Sequence, residues 1–122
     1  MTPYCMNGKT SKRKPSFPVF VLGFIHSANM TFALWDIDAG ASLPEHAHPH
    51  EQVVYLLEGE LSLTVAGINK VMKTGSVAVI PSNARHFGKA VTVCRVLDVF
   101  YPLREDYFPN NLPMVFQDAK SV

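Results

Sequence analysis

The sequence predicts an all-β sandwich or barrel. Three observations carry that expectation. Apolar segments of strand length follow one another, turn residues separate them at roughly eight to twelve positions, and no segment keeps a helical period. The chain has 122 residues and is 48% apolar, enough for one domain with a real core.

Residues 1–16 are polar, with lysine, serine and proline, and read as a flexible tail. Residues 17–122 read as a single barrel domain whose end is irregular. Phe17–His26, rich in Val, Phe and Ile, is the first strand, and Ser27-Ala28-Asn29 turns it. Lys12, Arg13 and Lys14 before this apolar run imitate a secretory signal, but Pro15 and Pro18 interrupt it and no small-residue cleavage site follows. The run is also far short of the ~20 apolar residues of a membrane span.

Met30–Asp38 is the second strand and Gln52–Leu57 the next, ended by Glu58-Gly59. Leu61, Leu63 and Val65 alternate with Ser62, Thr64 and Ala66, the half-buried pattern. Gly67 begins a turn. Val77–Ile80 lies between Lys73-Thr74-Gly75 and Pro81-Ser82-Asn83, and Val91–Tyr101 is the last long strand. The tail from Arg104 is aromatic enough to pack irregularly. Phe32, Leu34 and Trp35 read as core. There is no internal repeat.

A net charge of +1 excludes an electrostatic case for nucleic acid. Cys5 and Cys94 are too far apart in sequence to suggest a disulfide framework, so a reducing cytoplasm is the expected compartment.

Four of the five histidines are His46, His48, His50 and His86. Residues two apart on a strand share a face, so His46 and His48 can aim at one point. Imidazole suits Fe, Ni, Cu and Zn, and the amide oxygen of Gln52 can join the set. The turn at Pro81–Asn83 can return His86 to the same mouth. A His-x-His pair on a surface loop would look alike; the spacing of glycines and proline around these histidines raises the metal reading.

That spacing resembles the cupin superfamily. One family motif is glycine, five residues, His-x-His, three or four residues, Glu, six residues, glycine. It corresponds to Gly40, His46, His48, Gln52 and Gly59 here. The other is glycine, five residues, Pro-x-Gly, two residues, His, three residues, Asn, and corresponds to Gly75, Pro81, Asn83, His86 and Ala90. The resemblance covers residues from about 30 to 104. It implies a double-stranded β-helix, or jelly-roll barrel. Gln52 replaces the family's glutamate, which leaves a bound ion with one more unit of positive charge. Asn83 replaces a glycine, and Asn enters the left-handed region readily. The pattern does not use His50, which is expected at the rim.

Within the cupins, His46-Ala-His48-Pro-His50-Glu-Gln52, Leu97-Asp98-Val99-Phe100 and Pro102-Leu-Arg104-Glu-Asp-Tyr107 resemble the pectin-degradation cupins, the KdgF family. That family converts 4,5-unsaturated monouronates from pectin and alginate breakdown to linear keto forms. The resemblance implies metal ligands at His46, His48, Gln52 and His86, an acid/base group at Asp98, and substrate contacts at Phe100 and Arg104. The cofactor is then one divalent transition metal (Mn, Fe, Co, Ni or Zn) and the partner a small anionic sugar acid. Read from the residues alone, Asp98 can instead pair with Arg95 or Arg104, and Arg104 with Glu105 or Asp106. Two other functions share the metal pattern: another cupin enzyme, such as an Fe-dependent dioxygenase or sugar isomerase, and a non-enzymatic binding module. A homodimer is expected, because the Phe17–Ile25 strand near a free edge is a template for a second copy.

Overall fold

A computed structural model of the chain describes residues 19–107. Nine strands run in order: β1 (Val19–His26), β2 (Thr31–Ile37), β3 (Ser42–His46), β4 (Glu51–Glu58), β5 (Glu60–Val65), β6 (Ile68–Lys73), β7 (Val77–Ile80), β8 (His86–Ala90) and β9 (Cys94–Tyr101). A short 3-10 helix, Glu105–Tyr107, follows. They form two antiparallel sheets, one of order β1-β2-β9-β4-β7 and one of order β3-β8-β5-β6. This is the expected jelly roll. The expected tail at residues 1–16 and Cys5 lie outside the described residues. Among the described residues no helix is long and apolar enough to cross a membrane.

Alternation builds the core. Gln52, Val54 and Leu56 of β4, Leu61 and Leu63 of β5, and Cys94, Val96 and Phe100 of β9 all turn inward and are buried. Ile37, Met72 and Ile80 complete the packing. The outer face of the larger sheet is apolar too: Val79, Val53, Val99, Phe32 and Ile25 lie in one cross-strand row. On the same face, Arg95 meets its cross-strand neighbour Asp36 in a two-point ion pair of 2.8 and 3.1 Å. That pairing takes Arg95 away from Asp98.

Several boundaries differ from the sequence reading. The last strand begins at Cys94; Val91 and Val93 are exposed in a bend, where the Thr92 hydroxyl accepts the Glu60 N–H at 3.0 Å. Strands β6 and β8 were not distinguished by pattern, since β6 buries only Met72. The motif turns behave as their residues require: Gly40, Gly59 and Gly75 have φ of 84, 103 and 92°, and Asn83 has φ of 66°. At Gly59 a Cβ would also sit 2.3 Å from the Val93 carbonyl oxygen.

Candidate metal centre and cavity

His46 ends β3 and stands directly opposite His86, which begins β8. Their rings are 4.2 Å apart between centroids. His48 lies beyond the end of β3, so the two histidines of the first motif do not share a continuous strand as expected. Loop-to-loop bonds set its position instead. The Asn83 N–H donates to the His48 carbonyl at 2.7 Å, and the Ser82 hydroxyl donates to the Pro49 carbonyl at 2.6 Å. The turn after β7 therefore fixes the loop after β3, and the His48 ring stands 5.0 Å from that of His86.

The three imidazoles are alike in one respect. Nδ1 of His46 bonds the Pro44 carbonyl at 2.9 Å, Nδ1 of His48 that of His50 at 3.0 Å, and Nδ1 of His86 that of Ala84 at 2.9 Å. A carbonyl only accepts, so each Nδ1 carries the proton and each Nε2 presents a lone pair. Backbone anchoring of this kind is what orients metal-ligating histidines. One ligand atom from each lies within 4.8 Å of the others. The His86 Nε2 is buried and has no hydrogen-bond partner in the protein. Burial lowers the pKa of His48 and of His86, with the charge of Arg104 adding at His48, so both favour the neutral form at pH 7.

Gln52 completes the set. Its Oε1 is 3.1 Å from the His48 Nε2. With Nδ1 already the donor, both of these atoms carry lone pairs. Two acceptors at that distance leave a place where a cation would be favoured between them. The donor set therefore fits a divalent transition metal on tautomer and charge, and the triad could hold one.

Beside these ligands a cavity of about 300 Å³ opens between the sheets. His46, His48, Gln52, Trp35, Asp98, Phe100, Arg104 and Tyr107 line its polar end, and Leu43, Leu61, Leu63, Ile80 and Val96 its floor. Asp98 is on the inward face of β9, between Ala33 and Val54 of the neighbouring strands. What it exposes faces this cavity rather than bulk water. Burial pushes its pKa up to about 7; the Gln52 amide, the Trp35 indole and the charge of Arg104 pull it partly back. Gln52 thus stands between Asp98 and the histidines, with its oxygen toward His48.

Arg104 does not reach Asp98 with a hydrogen bond. Its Nε and Nη2 donate to the two carboxylate oxygens of Asp106, at 3.0 and 2.8 Å. The guanidinium lies over Phe100 and Tyr107, 4.8 and 4.2 Å from their ring centroids. Its backbone is fixed as well: the Arg104 N–H donates to the Thr31 hydroxyl oxygen at 2.8 Å, and that hydroxyl is 2.8 Å from Nδ1 of His26.

The structure brings His46, His48, Gln52, His86, Asp98, Phe100 and Arg104 to one end of the barrel. His50 does not line the cavity; it packs on His48 and Phe100, with Nδ1 buried and unpaired. Trp35, Phe32 and Leu34 were expected in the core; Trp35 has the parity of Ala33 and Ile37 and turns inward to line the cavity beside Asp98, whereas Phe32 and Leu34 lie on the outer face. Tyr107 follows the last strand, where no periodicity could place it.

The family model for the cupin domain matches residues 33–100. Among solved structures, KdgF from Halomonas sp. has a TM-score of 0.73 and 22% identity, over 79% of this chain and 91% of that one. An RmlC-like cupin from Shewanella frigidimarina NCIMB 400 has a TM-score of 0.67 and 31% identity, over 70% and 78%. An uncharacterised protein of Streptomyces coelicolor is 30% identical over 82 residues, 66% of this chain and 78% of its own. At 22% identity the likeness to KdgF is one of fold.

Proposed function

This chain belongs to the cupin family, and we propose that it is a metal-dependent enzyme that converts 4,5-unsaturated monouronates to their linear keto forms. One observation carries the reading. A buried carboxyl group, Asp98, whose pKa burial raises, faces a cavity whose wall also holds a metal-fitting donor set. A general acid–base group works best when its pKa lies near the working pH.

The substrate is a cyclic hemiacetal whose ring double bond bears the ring oxygen. Ring opening breaks the bond between that oxygen and the anomeric carbon. The anomeric hydroxyl loses its proton and becomes the aldehyde, and the electron pair leaves on the ring oxygen. Protonation of the far alkene carbon then turns the enol into a ketone. A proton moves from oxygen to carbon, and no oxidant or reductant is needed. Asp98 takes and returns that proton. His46, His48, Gln52 and His86 would hold a divalent ion, which when bound would supply positive charge against a developing oxygen anion. Gln52 aligns Asp98, and Arg104, stacked on Phe100, meets the substrate carboxylate.

Asp98→Asn keeps the shape and removes the proton carrier. It is expected to bind metal, to fold, and to turn over unsaturated galacturonate roughly a hundred times more slowly. Loss of the substrate's ultraviolet absorbance follows the reaction. Full activity in the variant, or inert wild type, would overturn the assignment; oxygen uptake with an aromatic substrate would favour a dioxygenase. Metal analysis is independent of substrate. Wild type should carry close to one equivalent, and a His46→Ala/His86→Ala variant none with the fold kept. A protein that stays metal-free after incubation with Mn, Fe, Co, Ni and Zn would end the metal assignment.

A further inference from the structure

We propose that Asp106 is a positioning residue that holds the Arg104 guanidinium as a preset clamp for a ligand carboxylate, so that the cavity selects sugar acids over neutral sugars. This rests on the cavity being the substrate site.

The guanidinium has five N–H donors, two faces and more than one edge. Asp106 takes one edge, through Nε and Nη2. The Arg104 Cζ lies 4.8 Å from the Phe100 ring centroid and 4.2 Å from that of Tyr107, two rings set nearly at right angles to each other. Nη1 and the second N–H of Nη2 face away from Asp106, and these two groups form the edge that matches a planar carboxylate; the Tyr107 hydroxyl also lies within hydrogen-bond reach of the guanidinium.

The side chains show which way that edge faces. Arg104 is 13% exposed and lines the cavity, whereas Asp106 is 57% exposed and does not. Asp106 grips from the solvent side, which leaves the other edge toward the interior. On the interior side the charge of Arg104 acts on both His48 and Asp98.

The grip is also rigid. The Arg104 N–H is fixed by Thr31, and the Tyr107 N–H donates back to the Arg104 carbonyl at 2.9 Å. A long flexible side chain is thereby ordered before any ligand arrives, which removes an entropy cost from binding. A competing role for Asp106, as an internal carboxylate that the ligand must displace, would need it to lie on the cavity side; it does not line the cavity.

Calorimetry of the zinc-loaded protein with galacturonate and with galactose tests this. Wild type should bind galacturonate more tightly than galactose. Asp106→Asn should weaken galacturonate about tenfold, leave galactose unchanged and keep its circular dichroism, and Asp106→Glu should recover part of the loss. With the unsaturated uronate, Asp106→Asn should raise KM about tenfold and leave kcat within about twofold. If Asp106→Asn binds galacturonate as well as wild type or better, or if wild type does not prefer the acid, the proposal falls. A galacturonate effect without any turnover would keep Asp106 as the positioning residue and remove the enzyme assignment. Turnover with an unaffected Asp106→Asn would do the reverse.

Discussion

Replacing Asp98 by Asn is expected to stabilise the metal-free protein, and to do so more at pH 8 than at pH 5. The cause is the same burial that suits the carboxyl to proton transfer. In the unfolded chain Asp98 ionises near its ordinary value of 3.8, whereas in the folded chain it holds its proton up to about 7. Between those values the folded state binds more protons, so stability falls as pH rises, and above the upper value it is flat. Across the whole window the loss is on the order of 4 kcal/mol, at ~1.4 kcal/mol per pH unit. About two of those units lie above pH 5, so the advantage of Asp98→Asn at pH 8 should exceed its advantage at pH 5 by ~2–3 kcal/mol. The amide fills the same space and can accept from Gln52. Urea unfolding in chelator at the two pH values measures the difference directly. A difference below about 0.5 kcal/mol would show that Asp98 ionises freely in the folded protein, and the acid–base role would lose its physical basis.

His26 gives the opposite slope. Burial lowers its pKa from 6.5, with a backbone bond to Tyr107 opposing, so its contribution to stability is present above that value and lost as pH falls below it. His26→Gln should lose stability less steeply than wild type between about pH 7 and pH 5, as read by thermal melting; equal slopes would contradict this. Gly59→Ala should cost at least ~3 kcal/mol or prevent folding, because it adds a clash with the Val93 carbonyl to a backbone strain at φ of 103°. Gly67→Ala, with a positive φ but open space around it, should cost distinctly less in the same urea assay. The protein is expected to be a dimer by light scattering at micromolar concentration. β1 is an edge strand, and the outer face of its sheet exposes Ile25, Tyr55, Val77, Val79 and Tyr101. A monomer would count against that proposal.

Much of the barrel is legible because inward and outward residues alternate cleanly where both neighbours of a strand are paired, as in β4, β5 and β9. Edge strand β6 defeats the same reading, since Ile68, Asn69, Lys70 and Val71 are all exposed and leave no period to detect. Strand β8 is obscured by Gly88, which is inward and buried; a Cβ there would sit 2.9 Å from the Ser62 carbonyl oxygen, with the Leu43 and Leu63 side chains beyond. The segment Val91–Val93 misleads in the other direction, apolar in composition yet exposed in a bend. At the site, the convergence of His46 with His86 follows from turn spacing that the sequence displays. The role of Asp106 does not, because an aspartate two residues from an arginine is common on any surface. Only the packing of the guanidinium against two rings and its place in the cavity wall separate it from an ordinary ion pair.

The meeting of His46 with His86 across two strands has a consequence for how the chain comes apart. The two residues are 40 positions apart in sequence, and they sit in the smaller sheet, with β4, β5, β6 and β7 between them in the chain. An ion bound to both would act as a removable cross-link that closes a large loop. Closing a loop of this size is worth only on the order of a few kcal/mol, so most of the stabilisation would come from the ion binding the folded barrel and not the unfolded chain. The loaded protein would then resist unfolding as a laced barrel does, and a chelator would act by untying the lace.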